Sequence, residues 1–444
     1  MPPRAKPFLV AFALTAPLHH ALAAGMFVPA IGTPALGSGG AYVASGIDPL
    51  AIWYNPANLS DLPEGRHLAI DVAFIHSPHT FKRATDTWLF ELPNQEFSID
   101  YPLAENEAGL FQVPAFFGAH GAGDWAFGLG AWGPYKGRFA YDEDGPTRYT
   151  IISDQSYTAW IGAALARRWG AFRFGGGAQL APQGVNAEFK AMTLPHEAGD
   201  AYIVGRSANL SWTWNLGLTW VPAETWRLGL SYQSPTSIDG DIELAIDLPQ
   251  FMNMAGISVD GDAGEYELEL ADIARCGLAH RVGESTWVEV AGVFENWSNT
   301  DTLIVTPDQI IVEGLDDTLG VTTLTYDYKD AYSIRFGVRH EADPGHLGWR
   351  FGGLYESSSV KTENFFVGQS PERYGVSGGF SYGLGRGWTV DLSGMHYFQP
   401  DVVVDETDNR PDYLGIGDLE PAPDTRGTYE TSYTIVALGL RFGA

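Results

Sequence analysis

The chain has 444 residues, of which 18% are charged and 13% aromatic, with 53 glycines and a formal net charge of −28. So acidic a protein is a poor match for nucleic acid, whose phosphates demand lysine and arginine. Cys276 is the one cysteine, so neither an intramolecular disulfide nor a cysteine-based metal cluster can form.

The first residues read as an export signal. Arg4 and Lys6 supply positive charge, Pro7 to Leu18 is an apolar run too short for a bilayer, and Ala21-Leu22-Ala23 is a small-x-small cleavage site. Residues 1–23 are therefore assigned to a signal peptide, and the mature chain is expected to begin Ala24-Gly25-Met26. No later window supplies the roughly 18 apolar residues of a membrane helix.

Gly32 to Leu62 follows, rich in Gly, Ala and Pro, almost uncharged, and periodic like neither a helix nor a strand. Such a segment ahead of a long β-rich run suggests a plug inside a barrel. Residues 24–64 are assigned to this hatch and 65–444 to the barrel. Pro56 lacks an N–H and pushes Asn55 out of the helical region, so the hatch must bend there. The Asn55 side chain is suited to bond the backbone groups so freed.

Beyond the hatch the signal is strict alternation. In Ala208 to Trp220, Leu210, Trp212, Trp214, Leu216, Leu218 and Trp220 share one face, and small polar residues share the other. Three Trp on the apolar face suit lipid outside and lumen inside. Similar runs predict strands over 66–79, 110–121, 124–138, 150–168, 170–184, 206–221, 225–238, 265–281, 286–300, 327–342, 347–361, 371–384, 387–400 and 428–443. They number fourteen, and an even count is what a single-chain outer-membrane barrel requires. Short connections alternate with long ones near 80–109, 139–149, 185–205, 239–264, 301–326, 362–370 and 401–427, as in a barrel with short periplasmic turns and long outer loops. The last strand alternates and reaches Phe442, although Gly443-Ala444 follow where a terminal aromatic is usual. The expected fold is all-β, a 14-stranded antiparallel transmembrane barrel with a lumenal hatch, in the outer membrane of a Gram-negative bacterium.

Several residues invite functional readings. Gly133-Pro134 interrupts the third strand, since proline cannot donate to a ladder. It marks either a break in the ladder that lines a cavity or the start of a loop. The loop residues Phe251, Met252 and Met254, with Met192 and Leu194, make either an outer capture groove or loop packing. Arg173, Arg227, Arg335, Arg339 and Arg350 fall in lumen phase; Arg335 is carried as a ligand contact, against the reading that such arginines pair with lumenal acids. Cys276 reads as a small side chain facing lipid or buried. The acidic loops are either solvated faces or a contact with lipopolysaccharide through divalent cations.

The order Asp48-Pro49-Leu50-Ala51, Trp53-Tyr54-Asn55-Pro56-Ala57 and then fourteen strands resembles the FadL/TodX family of outer-membrane transporters, across essentially the whole mature chain. The resemblance implies passive uptake of hydrophobic molecules, long-chain fatty acids in one branch and aromatic hydrocarbons in another. It implies capture by outer loops, movement of a hatch containing Asp48, Asn55, Pro56 and Ala57, and lateral release through an opening in the third strand at Gly133 and Pro134. Expected partners are outer-membrane lipid and lipopolysaccharide, a fatty-acid-like ligand and the barrel-assembly machinery, with the protein acting as a monomer and no cofactor or metal. A polar-solute porin, an outer-membrane lipase or protease, and an adhesin or receptor using its acidic loops are the rivals; no G-x-S-x-G elbow or defensible His pairing supports the enzyme, so no catalytic residue is assigned.

Overall fold

Alternation along each strand becomes alternation of burial. In Phe111–Ala122 the odd-numbered residues face inward and are buried, while Gln112, Pro114, Phe116 and His120 face out. The computed structural model describes residue 28 and residues 30–89, 96–192, 199–300, 302–314, 317–320, 322–325, 327–341, 345–407 and 425–443. The expected signal peptide, its cleavage site and Leu194 lie outside the described residues.

The barrel strands are β1 Gly65–His76, β2 Phe111–Ala122, β3 Trp125–Lys136, β4 Tyr157–Trp169, β5 Phe172–Met192, β6 Asp200–Ala223 and β7 Trp226–Gln233. They continue as β8 Ile273–Val282, β9 Thr286–Glu295, β10 Ala331–His340, β11 Leu347–Glu356, β12 Arg373–Gly385, β13 Trp388–Phe398 and β14 Gly427–Gly443. Each pairs antiparallel with its neighbours, and β1 pairs with β14 from His67–Gly443 to His76–Thr434, which closes the ring. Closure leaves no open edge in the bilayer. Tight turns join the strands at one end, for example between Ala122 and Trp125 and between Trp169 and Phe172; long segments join them at the other.

The outward face carries an apolar belt that includes Phe174, Leu180, Leu210, Trp212, Leu216, Leu278, Ile334, Phe351 and Leu438, all strongly exposed. A spanning strand needs only about 9–11 residues, yet β5 and β6 have 21 and 24. Their upper parts, beyond Leu180 on β5 and Leu210 on β6, rise above the belt. The predicted loops 185–205, 239–264 and 301–326 are accordingly part strand. Thr236–Asp247 pairs with Ala263–Leu270, which pairs with Thr302–Pro307, which pairs with Thr322–Thr325. The fourth strand begins at Tyr157 rather than near 150, because Ser153–Asp154 is drawn into a separate pairing with Phe139–Ala140 and Ala187–Glu188.

Residues 30–62 fill the lumen and are almost wholly buried. They form α1 Thr33–Gly37, α2 Ala51–Tyr54 and a 3-10 turn at Pro56–Asp61. Pro34 and Pro56 sit at the starts of α1 and the turn, where a missing N–H costs nothing. Inward glycines of the wall make the fit possible: a Cβ on Gly175 would lie 2.4 Å from Ala57 N, and one on Gly217 2.2 Å from Asn55 Oδ1.

Candidate functional site

The bend of the hatch is fixed by Asn55. Its extended backbone (φ −165°, ψ 97°) ends α2 ahead of Pro56, and its Oδ1 accepts from Ala57 N at 3.2 Å. Its Nδ2 donates to Val43 O at 3.0 Å and to Thr219 Oγ1 on β6 at 2.9 Å. Asn58 Nδ2 also reaches Val43 O, and Thr219 Oγ1 donates to Asn58 Oδ1 at 2.7 Å. Asp48 accepts from Tyr42 OH at 2.7 Å and from Leu50 N at 3.0 Å. The hatch is thus folded on itself at Asp48 and fastened to the wall at Asn55.

Wall carboxylates and guanidiniums complete the fastening. Glu289 on β9 accepts from the backbone N–H groups of Ala44 and Ser45, each at 2.9 Å. Arg227 on β7 donates to Ala44 O at 2.7 Å and pairs with Asp61, which also pairs with Arg173. Asp71 on β1 accepts from Thr33 N at 2.7 Å. These charges are buried, and buried charges survive only when paired and hydrogen-bonded. Among the sequence candidates Arg335 belongs to such a set: it lies 3.6 Å from Glu356, whose other oxygen takes Arg373 Nε at 2.7 Å. The reason is its position on β10, one strand from the acid. Arg350 likewise pairs with Asp391, which also holds Arg441.

Arg275 on β8, absent from the sequence candidates, differs. It is buried and faces the lumen, has no ion pair or hydrogen-bonded partner among the described residues, and its Nη2 is unsatisfied. Its guanidinium lies 4.2 Å from the ring centroid of Trp53 on α2. Its inward phase in the run Ile273-Ala274-Arg275 was a signal for it.

From Trp53 an aromatic series leads outward. Trp53 meets Trp160 edge-on at 5.1 Å, Trp160 meets Trp132 at 6.0 Å and Tyr135 at 6.3 Å, and Tyr135 meets Trp297 at 6.4 Å. Trp297 in turn meets Tyr328, at 6.3 Å, among the outer connections. These edge-on pairs form a continuous buried aromatic series.

Trp132 and Tyr135 flank Gly133-Pro134. The strand continues through this pair rather than ending there, but both of its ladders fail. Against β4 the register slips between Thr158–Tyr135 and Trp160–Trp132, so two residues of β3 oppose one of β4. Against β2 the pairing ends at Phe116–Ala131. Pro114 and Pro134 lie on the two unpaired lips, and neither has an N–H to offer. Val28, near the start of the hatch, donates through its N–H to Pro134 O at 2.8 Å, and a Cβ on Gly133 would touch Val113 at 3.5 Å. The backbone ladder is open at this seam, which is closed by that contact and by Lys136 Nζ donating to Gln112 O at 2.9 Å.

The outer-loop candidates divide. In the helix α3 Gln250–Met254, Phe251 and Met254 are exposed whereas Met252 is buried, so the three share no one surface. Met192 ends β5. Cys276 is exposed on the lipid side, beside a groove of about 920 Å³ between β5 and β10 lined by Leu216, Leu230, Phe294 and Ile334. No group of three potential metal ligands occurs among the described residues.

The fold matches known barrels. A FadL homologue of Pseudomonas aeruginosa superposes with a TM-score of 0.78 at 16% identity, over 95% of this chain and all of that one. The toluene transporter TodX of P. putida gives 0.68 at 16% identity over 94% and 99% of the two chains. The toluene transporter TbuX of Ralstonia pickettii gives 0.66 at 16% identity over 94% and 99%. At such identities the likeness speaks for the fold alone. No curated protein matches the sequence. The family model described as "Outer membrane protein transport protein (OMPP1/FadL/TodX)" matches residues 18–443, and the chain belongs to that family of transport channels.

Proposed function

We propose that the protein carries out passive uptake of hydrophobic molecules across the outer membrane, long-chain fatty acids foremost. The observation that carries the fatty acid is Arg275. A buried guanidinium without an anion is costly, and a carboxylate is the partner that would remove the cost. Its place at Trp53 puts a head group against the hatch while the acyl chain lies along Trp160, Trp132 and Tyr135. In this reading Phe251 and Met254 meet the cargo outside, the hatch shifts about Asn55-Pro56-Ala57 and Asp48, and the chain leaves sideways between β2 and β3 at Gly133-Pro134.

Neutral aromatic hydrocarbons are the second reading, favoured by the uncharged aromatic series and by the toluene transporters among the similar structures. Binding of palmitate and of toluene to the purified barrel separates the two. Arg275→Leu is expected to weaken palmitate by roughly tenfold or more, since hydrogen bonds to charged groups are worth about 1.5–3 kcal/mol, and to leave toluene unchanged. Unchanged palmitate affinity in this variant would remove the head-group assignment.

A further inference from the structure

Beside Arg275 lies a second set of unsatisfied groups, and these are neutral. Gln179 on β5, Asn215 on β6 and Gln233 on β7 face the lumen and are 2%, 2% and 0% exposed. The Nε2 of Gln179, the Oδ1 of Asn215 and the Oε1 of Gln233 have no partner. Gln183 Oε1 and Thr158 Oγ1 extend the patch towards β4. Strand register makes it continuous: Gln179 pairs with Thr213, Asn215 with Gln233, and Gln183 with Thr158.

Native interiors seldom strand buried amides, and each that is stranded asks for a reason. Packing is not the reason, because Leu or Met would fill the same space without a polar atom. The groups do make some bonds. Gln233 Nε2 donates to Thr213 Oγ1 at 2.8 Å and Trp214 O at 3.0 Å, and Asn215 Nδ2 donates to Ile52 O of α2 at 2.7 Å. What remains is two free donors, Gln179 Nε2 and the Thr158 hydroxyl, and several free acceptors, sealed while α2 is seated and in contact with it through Asn215.

The register also sets the distance to Arg275. Arg275 pairs with Ser231, and Gln233 pairs with Ile273. Gln233 is therefore the next inward position along β7, roughly 6.6 Å from the Arg275 rung.

We propose that this patch receives a neutral hydrogen-bonding group carried a few atoms from the cargo's carboxylate, so that the preferred cargo is an N-acyl amino acid rather than a plain fatty acid. The amide N–H of such a head meets Gln233 or Asn215 oxygen, its C=O meets Gln179 Nε2, and its carboxylate meets Arg275. The patch becomes available when α2 withdraws and breaks the Asn215–Ile52 bond. This inference rests on the uptake of acyl compounds argued above.

The test compares palmitate with N-palmitoylglycine on the intact barrel in detergent, by isothermal titration. Wild-type protein is expected to bind N-palmitoylglycine roughly tenfold more tightly, the effect of one or two net hydrogen bonds. The double variant Gln179→Leu, Gln233→Leu is expected to bring the two ligands within about twofold by removing those bonds. Asn215→Leu carries the same expectation of a reduced preference should the double variant not insert. Equal affinities in the wild type, meaning a patch filled by water only, would overturn the head-group assignment, as would a preference that survives the variants. Failure of both ligands to bind would instead overturn the acyl-uptake reading beneath it.

Discussion

Asn55→Ala isolates the fastening of the hatch from the stability of the barrel. The side chain makes three main bonds, with Ala57 N, Val43 O and Thr219 Oγ1, and a longer fourth one to Leu218 O at 3.3 Å. Two of those partners keep another bond after truncation, because Asn58 Nδ2 still reaches Val43 O and Thr219 still donates to Asn58 Oδ1. Ala57 N alone is stranded. A stranded buried donor costs about 1–3 kcal/mol and each of the other two bonds about 0.5–1.5 kcal/mol, so the seated hatch loses about 3 kcal/mol. At about 1.4 kcal/mol per decade this raises the population of unseated hatch by roughly a hundredfold. Hydrogen exchange of residues 51–61 reads that population directly, and planar-bilayer conductance reads the leak it opens. The barrel ladders are untouched, so thermal unfolding of the barrel should not move. Exchange in the hatch no faster than in the wild type would refute the idea that Asn55 holds it.

Other outcomes follow from the same geometry. Gly217→Val places carbon where Asn55 Oδ1 now sits, 2.2 Å from an added Cβ; the barrel should still insert while residues 30–62 become sensitive to protease added from the periplasmic side. Val113→Cys with Gly133→Cys, in a Cys276→Ser background, should stitch the lips of the β2–β3 seam, stop uptake of palmitate and restore it on reduction; uptake that ignores the disulfide excludes this exit. His79 lies in the outer connection, edge-on to Phe139 at 5.3 Å, and burial lowers its imidazole from 6.5 to about 4. Because the folded value is the lower one, the opened segment binds the proton first. Stability of this part of the outer cap should be complete above about pH 6.5 and decline as pH falls towards about 4, measured as exchange of residues 77–83; His79→Phe should flatten the dependence.

The barrel was legible because lipid and lumen impose a two-residue period on every spanning strand, as in Leu210 to Trp220 and Phe172 to Leu180. That period also misled above the membrane. The upper parts of β5 and β6 keep their pairing above the apolar belt, so 185–205 reads as loop although Val185 pairs with Ser207 and Met192 with Asp200. The hatch was legible from what it lacks, charge and period, and Asn55-Pro56 from the chemistry of proline. Its seat was recorded too, in inward glycines such as Gly175, Gly217, Gly229 and Gly337, whose missing side chains leave space for Ala57, Asn55, Val43 and Ser38. Pro114 was a further signal: two prolines on neighbouring strands mark a seam better than Pro134 alone.

Which lumenal cation stands free is not a property of one strand. Arg335 and Arg275 occupy the same phase on β10 and β8, and nothing local separates them. The difference lies on the next strand, where Glu356 on β11 stands beside Arg335 while Glu295 on β9 is engaged by Trp297 Nε1 at 2.7 Å. Charge balance in the lumen is therefore settled by which acids the neighbouring strands have already spent on tryptophan, hatch backbone or a second arginine. Glu289 is held by Ala44 and Ser45, Asp61 by Arg173 and Arg227, and Asp391 by Arg350 and Arg441. Once these are assigned, Arg275 remains, stacked on Trp53, the hatch residue that meets both Trp132 and Trp160. The cation that the sequence could not single out is thus fixed by the acids around it, and it stands where the hatch joins the aromatic series.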